Sequence, residues 1–151
     1  MRKTVASALF ALFLALTAAL GVGCGGGGAQ ELSEPARVFD HALREAIAGN
    51  FEPLIQIIPP DLRAYYQRAI TQEFAYRNGE VLELNYRTEQ SDEDHAVVYF
   101  WGTIAYDEGE ERKTQVTTSE QAQSVPMVRR DGAWYLDLGE APAEEPAQSS
   151  P

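Results

Sequence analysis

Two periodicities divide this chain. Up to about residue 77 apolar side chains recur at helical spacing, and from residue 81 onward they alternate with polar ones. Ser33 is placed to cap a first helix over residues 33–49, with Pro35 tolerated in its first turn and Gly49 as its stop. Val38, Phe39, Ala42, Leu43, Ala46 and Ile47 form its apolar stripe. Asn50 is set to cap a short second helix that holds Phe51, Leu54, Ile55 and Ile58, and Pro59-Pro60 ends it. Asp61 then opens a third helix to about residue 77, with Leu62, Tyr65, Tyr66, Ala69, Ile70 and Phe74 on a broad apolar face, closed by Asn78-Gly79.

The strand pattern begins at residues 81–88, where Leu82, Leu84 and Tyr86 alternate with Glu83, Asn85 and Arg87. After the charged turn Ser91-Asp92-Glu93-Asp94, residues 96–106 carry Val97, Val98, Tyr99, Phe100, Trp101 and Ile104. Both faces of that segment are apolar, which predicts a central strand covered on both sides. A turn over residues 107–111 leads to a polar strand at 112–119. Residues 125–130 follow, with Pro126 at an edge or bulge. Asp131-Gly132 is a hairpin signal, and residues 134–138 close the sheet with Trp134, Leu136 and Leu138 on one face. Helices first and antiparallel strands after predict an α+β fold, N-terminal helices packed on a curved antiparallel sheet of four to five strands.

The first 23 residues have a different character. Arg2 and Lys3 precede an apolar run over residues 5–20, and Gly21-Val22-Gly23 leads to Cys24, the single cysteine. These are the parts of an export signal, too short for a permanent spanning helix. A small residue directly before a lone cysteine resembles the bacterial lipoprotein signal, although Gly21 stands where that family usually carries Leu. The resemblance implies a diacylglyceryl group on the Cys24 thiol and acylation of its freed amine, and two or more chains give stable anchoring where one does not. Domain boundaries follow: residues 1–23 a signal, 24–32 a glycine-rich tether, 33–138 the folded domain, 139–151 a tail without large apolar side chains that should stay disordered. The expected location is the bacterial cell envelope, facing the periplasm or the exterior.

Charge narrows the partners. The chain carries 23 acidic and 12 basic residues, net −11. Such a body repels phosphate backbones and anionic head groups, so nucleic acid is excluded as a partner and the membrane is met through Cys24. With one cysteine no internal disulfide exists, and the domain folds on its hydrophobic core.

The order of elements resembles the nuclear transport factor 2-like superfamily, the cystatin-like cone shared with ketosteroid isomerase and scytalone dehydratase, and within it small bacterial lipoproteins of unknown function. The likeness rests on the first helix ending in Gly49-Asn50-Phe51-Glu52, on His95-Ala96-Val97-Val98 after an acidic turn, and on the final hairpin Val128-Arg129-Arg130-Asp131-Gly132-Ala133-Trp134-Tyr135-Leu136. It covers residues 33–138 and implies a sheet curling around the first helix. Enzymes of that superfamily bury an Asp, His or Tyr in the cone, where desolvation tunes its pKa. Tyr65, Tyr66, Tyr86, Tyr99 and Trp101 are the candidates to line such a pocket, with Asp40 or His41 nearby on the first helix. The competing and preferred reading is that these aromatics pack the core with their polar tips satisfied.

Other chemistry is poorly supported. His41 and His95 sit in no metal-ligand spacing, and Asp92, Glu93 and Asp94 lack the other ligands of a calcium loop. Gly23, Gly25 and Gly28 match GxGxxG in form only, since no βαβ unit surrounds them. No GxSxG occurs. No residue is assigned a catalytic role, and no metal or cofactor is expected. The sequence points to a lipid-anchored domain that binds a small apolar ligand or an envelope protein without catalysis. The alternatives are a small cavity enzyme using a buried acid or base, of isomerase or dehydratase type, and a homodimer through the sheet.

Overall fold

A computed structural model describes residues 31–73 and 76–139. The signal segment, Cys24, most of the tether, Phe74 and the tail beyond Gly139 lie outside the described residues. Helix α1 spans Glu34–Ile47, α2 Glu52–Gln56 and α3 Arg63–Glu73. The strands are β1 Arg77–Gln90, β2 His95–Glu108, β3 Glu111–Val116, β4 Gln123–Arg130 and β5 Ala133–Leu136. All pairings are antiparallel, in the order β1-β2-β4-β5, with β3 also on β2. The sheet curls as a half-barrel with the helices on its concave side, as the helix-then-strand order predicts.

Local chemistry sets the ends. Ser33 caps α1, its Oγ accepting from the Ala36 amide at 3.4 Å. Helix α3 begins at Arg63, two residues after Asp61, and Tyr76 already lies outside it. The chain is already extended at Arg77, so Asn78-Gly79 lies inside β1 rather than closing a helix. Asp131-Gly132 forms the expected tight hairpin, with φ of 51° and 80° at its two central residues.

The core lies between α1 and the sheet. Phe39, Leu43, Ala46 and Ile47 are buried against Val98, Val125, Met127, Trp134 and Leu136. The Phe39 and Phe100 rings pack at 5.1 Å. Trp134 Nε1 is buried without an acceptor, the single such side-chain atom among the described residues.

The sheet departs from the expected pattern at three places. Val81 pairs with Ile104 and Glu83 with Thr103, so Leu82 is an extra residue in a β-bulge. The bulge brings Val81 against the core and leaves Leu82 55% exposed, which reverses the expected roles. Strand β2 is central, and Ala96 and Val98 on its concave face are buried, but the other face is not covered along its length. Val97, Tyr99 and Trp101 on the other face are half-buried, because no second layer covers them among the described residues. Pro126 sits neither on an edge strand nor in a bulge: β4 lies between β2 and β5, and Pro126 stands just past the last β4–β5 pair.

Gly102 marks the point where β2 changes partner. Residues 95–100 of β2 pair with β4 and residues 103–108 with β3, so the partner changes at Gly102. A Cβ there would overlap the Glu83 carbonyl of β1. Thr117 clamps the same point: its amide donates to the Gly102 carbonyl at 2.8 Å, and its Oγ1 accepts from the Gly102 amide at 3.0 Å.

Candidate functional site

The seven pocket candidates do not converge. Asp40 and Tyr86 meet on the concave side, where the Tyr86 hydroxyl donates to Asp40 Oδ1 at 2.8 Å. Arg44, one helical turn along α1, donates to the same oxygen at 2.7 Å. Burial, then the hydrogen bond to Asp40, pushes the Tyr86 hydroxyl far above its ordinary pKa, so it stays protonated. Nearby, Ser33 and Thr88 hydroxyls share a hydrogen bond of 2.6 Å and join the start of α1 to β1. Beside them lies a hollow of about 210 Å³ lined by Glu31, Leu32, Ser33, Ala36, Tyr86 and Thr88.

His41 faces the other way. It is exposed and borders a shallow groove of about 270 Å³ between α1 and α2, together with Val38, Ala42, Glu52, Gln56 and Ile57. Tyr65 is 51% exposed, and its ring meets Tyr66 edge-on at 4.9 Å on α3. Burial raises the Tyr66 pKa, with Tyr65 adding to it.

Tyr99 and Trp101 lie on the convex face. Alternation along β2 forces this: Val98 and Phe100 turn toward α1, so their neighbours turn outward. The Arg87 guanidinium stacks 4.4 Å from the centre of the Tyr99 ring, and the Tyr99 hydroxyl donates to Glu89 at 3.3 Å. Asn85 stands opposite Trp101, and Glu83 opposite Thr103, which in turn faces Val116. This polar and aromatic face went unread in the sequence, although the polar half of the β1 alternation, Glu83-Asn85-Arg87, marked it.

Among the described residues no group of three or more His, Cys, Asp or Glu is placed to hold a metal ion. No described helix is long and apolar enough to cross a membrane. The interior that would form a cone cavity is occupied by Phe39, Leu43, Phe100 and Trp134. Asp40 and Tyr86 are thus the only candidate pair with acid–base geometry, and each already satisfies the other.

No protein-family model matches the chain. No curated protein matches it either. Solved structures do. The chain is similar to a SEC-C motif-containing protein from Rhodopseudomonas palustris, at 14% identity over 71% of this chain and 77% of that one, with a TM-score of 0.49. It is similar to a calcium/calmodulin-dependent protein kinase II association domain from Xanthomonas campestris, at 16% identity over 68% and 80%, with a TM-score of 0.46. It is also similar to a protein named as a nuclear transport factor 2-like transpeptidase from Campylobacter jejuni, at 12% identity over 69% and 97%, with a TM-score of 0.45. The architecture itself stands on the element order and strand pairing given above.

Proposed function

We propose that the chain is a lipid-anchored domain of a bacterial cell envelope, held through Cys24, and that it binds a protein partner at its surface without catalysis. The observation that carries the binding reading is the filled concave interior. The hollow beside Tyr86, about 210 Å³, and the groove between α1 and α2, about 270 Å³, are both smaller than the roughly 300–1,000 Å³ of most small-molecule sites. A buried acid or base acting on a substrate needs an open face, and Tyr86 spends its hydroxyl proton on Asp40. Support for the anchor is the lone cysteine after a short apolar run and small residues. Acyl chains on Cys24 would hold an acidic globule at a surface that otherwise repels it.

Two measurements test this reading. Wild-type chain and Cys24→Ser are expressed in a bacterial host and fractionated: the wild type is expected in membranes, with acyl mass on its mature N-terminus, and the variant outside them. Equal membrane recovery of both sinks the anchor. Native mass spectrometry of the purified protein is expected to show no bound small molecule. A stoichiometric apolar ligand would move the function to the interior.

A further inference from the structure

Surface apolar residues are ordinary when scattered and informative when contiguous. The two large aliphatic side chains most exposed among the described residues, Leu82 at 55% and Val116 at 61%, flank one point of the convex sheet face. Glu83, Thr103 and Val116 form one rung across β1, β2 and β3, and Asn85 and Trp101 form the next. Leu82 is pushed out by the bulge beside Glu83. Glu83 and Trp101 are diagonal neighbours on this face, a separation that an aromatic and a long side chain span.

The electrostatics of the patch are one-sided. Residues 77–116 hold ten carboxylates against four basic side chains. Three of the four basic groups are engaged. Arg112 contacts Glu80 at 2.9 Å and Asp107 at 3.0 Å, Lys113 contacts Glu111 at 2.7 Å, and Arg87 contacts Glu89 at 3.4 Å. Glu83 accepts from Asn85 Nδ2 at 2.9 Å and has no cation within ion-pair distance among the described residues. An unneutralised carboxylate therefore stands beside a half-buried indole, between exposed aliphatic side chains. A second copy of the chain would bring the same excess of negative charge to the contact.

We propose that this patch docks a basic segment of a partner protein, its Arg or Lys seated between the Glu83 carboxylate and the face of Trp101, with an adjacent apolar residue against Leu82 and Val116. Trp is the strongest aromatic partner for a cation, and a carboxylate at its edge adds an ion pair. The inference rests on the surface-binding reading above and names the face and the chemistry of the partner.

The chain has two tryptophans, and Trp134 is buried, so a change in emission on docking reports Trp101. The probe is the acetylated hexapeptide Leu-Arg-Leu-Arg-Leu-Arg, with Leu-Glu-Leu-Glu-Leu-Glu as control. The basic peptide is expected to shift the emission saturably and the acidic one not at all. Glu83→Gln is expected to weaken binding roughly tenfold. Glu93→Gln makes the same charge change on the distant β1–β2 turn and is expected to alter binding less than about twofold. Equal losses in the two variants would reduce the effect to diffuse charge and overturn the proposal. So would absence of saturable binding, or a free protein whose mass doubles with concentration while Trp101 becomes shielded. Those results leave Cys24-dependent membrane recovery and the filled interior untouched, so failure here is distinct from failure of the broader reading.

Discussion

The Tyr86 hydroxyl and the Arg44 guanidinium converge on a single oxygen, Oδ1 of Asp40, at 2.8 and 2.7 Å. This contact ties β1 to α1 across 46 positions of sequence. It is a polar bond from a core aromatic to the helix that the sheet wraps. Tyr86→Phe removes the donor and leaves Asp40 with Arg44, so no charge is stranded. Hydrogen bonds to charged groups contribute about 1.5–3 kcal/mol, and a loss of that size is expected in urea denaturation at pH 7.

The same bond gives a signature in alkali. Tyr86 has a raised pKa in the folded protein, so the unfolded chain releases its phenolic proton first, near pH 10. Above that pH the folded state holds more protons than the unfolded one, and stability falls as pH rises, by up to about 1.4 kcal/mol per unit. Tyr66 and Tyr99 are shifted in the same direction but are far less buried. The stability gap between wild type and Tyr86→Phe is therefore expected to be constant below about pH 9 and to shrink above about pH 10. A gap that stays level to pH 11 would show that Tyr86 ionises as freely in the folded state as in the unfolded one.

Where β2 changes partner, Gly102 and Thr117 make a matched pair of predictions. Gly102→Ala places a methyl group on the Glu83 carbonyl, and two paired backbones cannot separate without breaking the β1–β2 ladder. Its expected cost exceeds about 2 kcal/mol. Thr117→Val keeps the shape and deletes only the Oγ1 bonds to Gly102, with an expected cost of about 1 kcal/mol. Thermal melts of both variants check the order. A Thr117→Val loss as large as that of Gly102→Ala would mean that the side-chain clamp, not the close approach of the strands, dominates the stability of this point.

Where sequence was informative, one short-range rule decided the outcome. The α1 stripe is read from spacing because a lone helix face has nowhere else to put Phe39, Leu43 and Ile47. Asp131-Gly132 is read from turn chemistry, since few other pairs adopt two successive positive φ values. Where it was silent, the decision was long-range. Alternation through residues 81–86 is blind to the bulge that exchanges Val81 and Leu82, because the extra residue is defined by Ile104 and Thr103 on the partner strand. The continuous apolar run of β2 hides which residues face inward until Phe39 selects Phe100, and that choice sends Tyr99 and Trp101 to the other face. Hence a seven-residue candidate pocket resolves into one bonded pair, two surface sites on helices and an outward aromatic face.

The contrast between a buried and an exposed apolar residue is testable directly. Phe39 is 4% exposed and packs on Phe100, so Phe39→Ala removes a ring from the centre of the interior and is expected to cost about 3–5 kcal/mol. Leu82→Ala deletes a side chain that the bulge leaves in solvent, with an expected effect within about 0.5 kcal/mol. The cavity from Phe39→Ala is also expected to admit an apolar probe such as benzene, recovering part of the loss. Destabilisation by Leu82→Ala comparable to that by Phe39→Ala would place Leu82 in the core and remove the bulge.

The last prediction concerns the β1–β2 turn. His95 Nδ1 lies 2.9 Å from Asp92 Oδ1, and this hydrogen bond is the main reason that the His95 pKa is raised and that of Asp92 lowered. Asp137 and Asp94 raise His95 further. The signs differ for the two partners. The His95 contribution is complete below its unfolded pKa near 6.5 and fades as pH rises through the raised folded value. The Asp92 contribution is present above its unfolded pKa and fades as pH falls through the lowered one. Both groups are exposed, so the effect is local, and the readout is the imidazole resonance of His95 rather than global unfolding. Its midpoint is expected above about 6.5, and Asp92→Asn is expected to bring it down. Salt at about 1 M weakens the charge attraction and is expected to move the wild-type midpoint the same way. A midpoint unchanged by Asp92→Asn would show that His95 takes its proton from the general acidity of this end of the sheet instead of from one carboxylate.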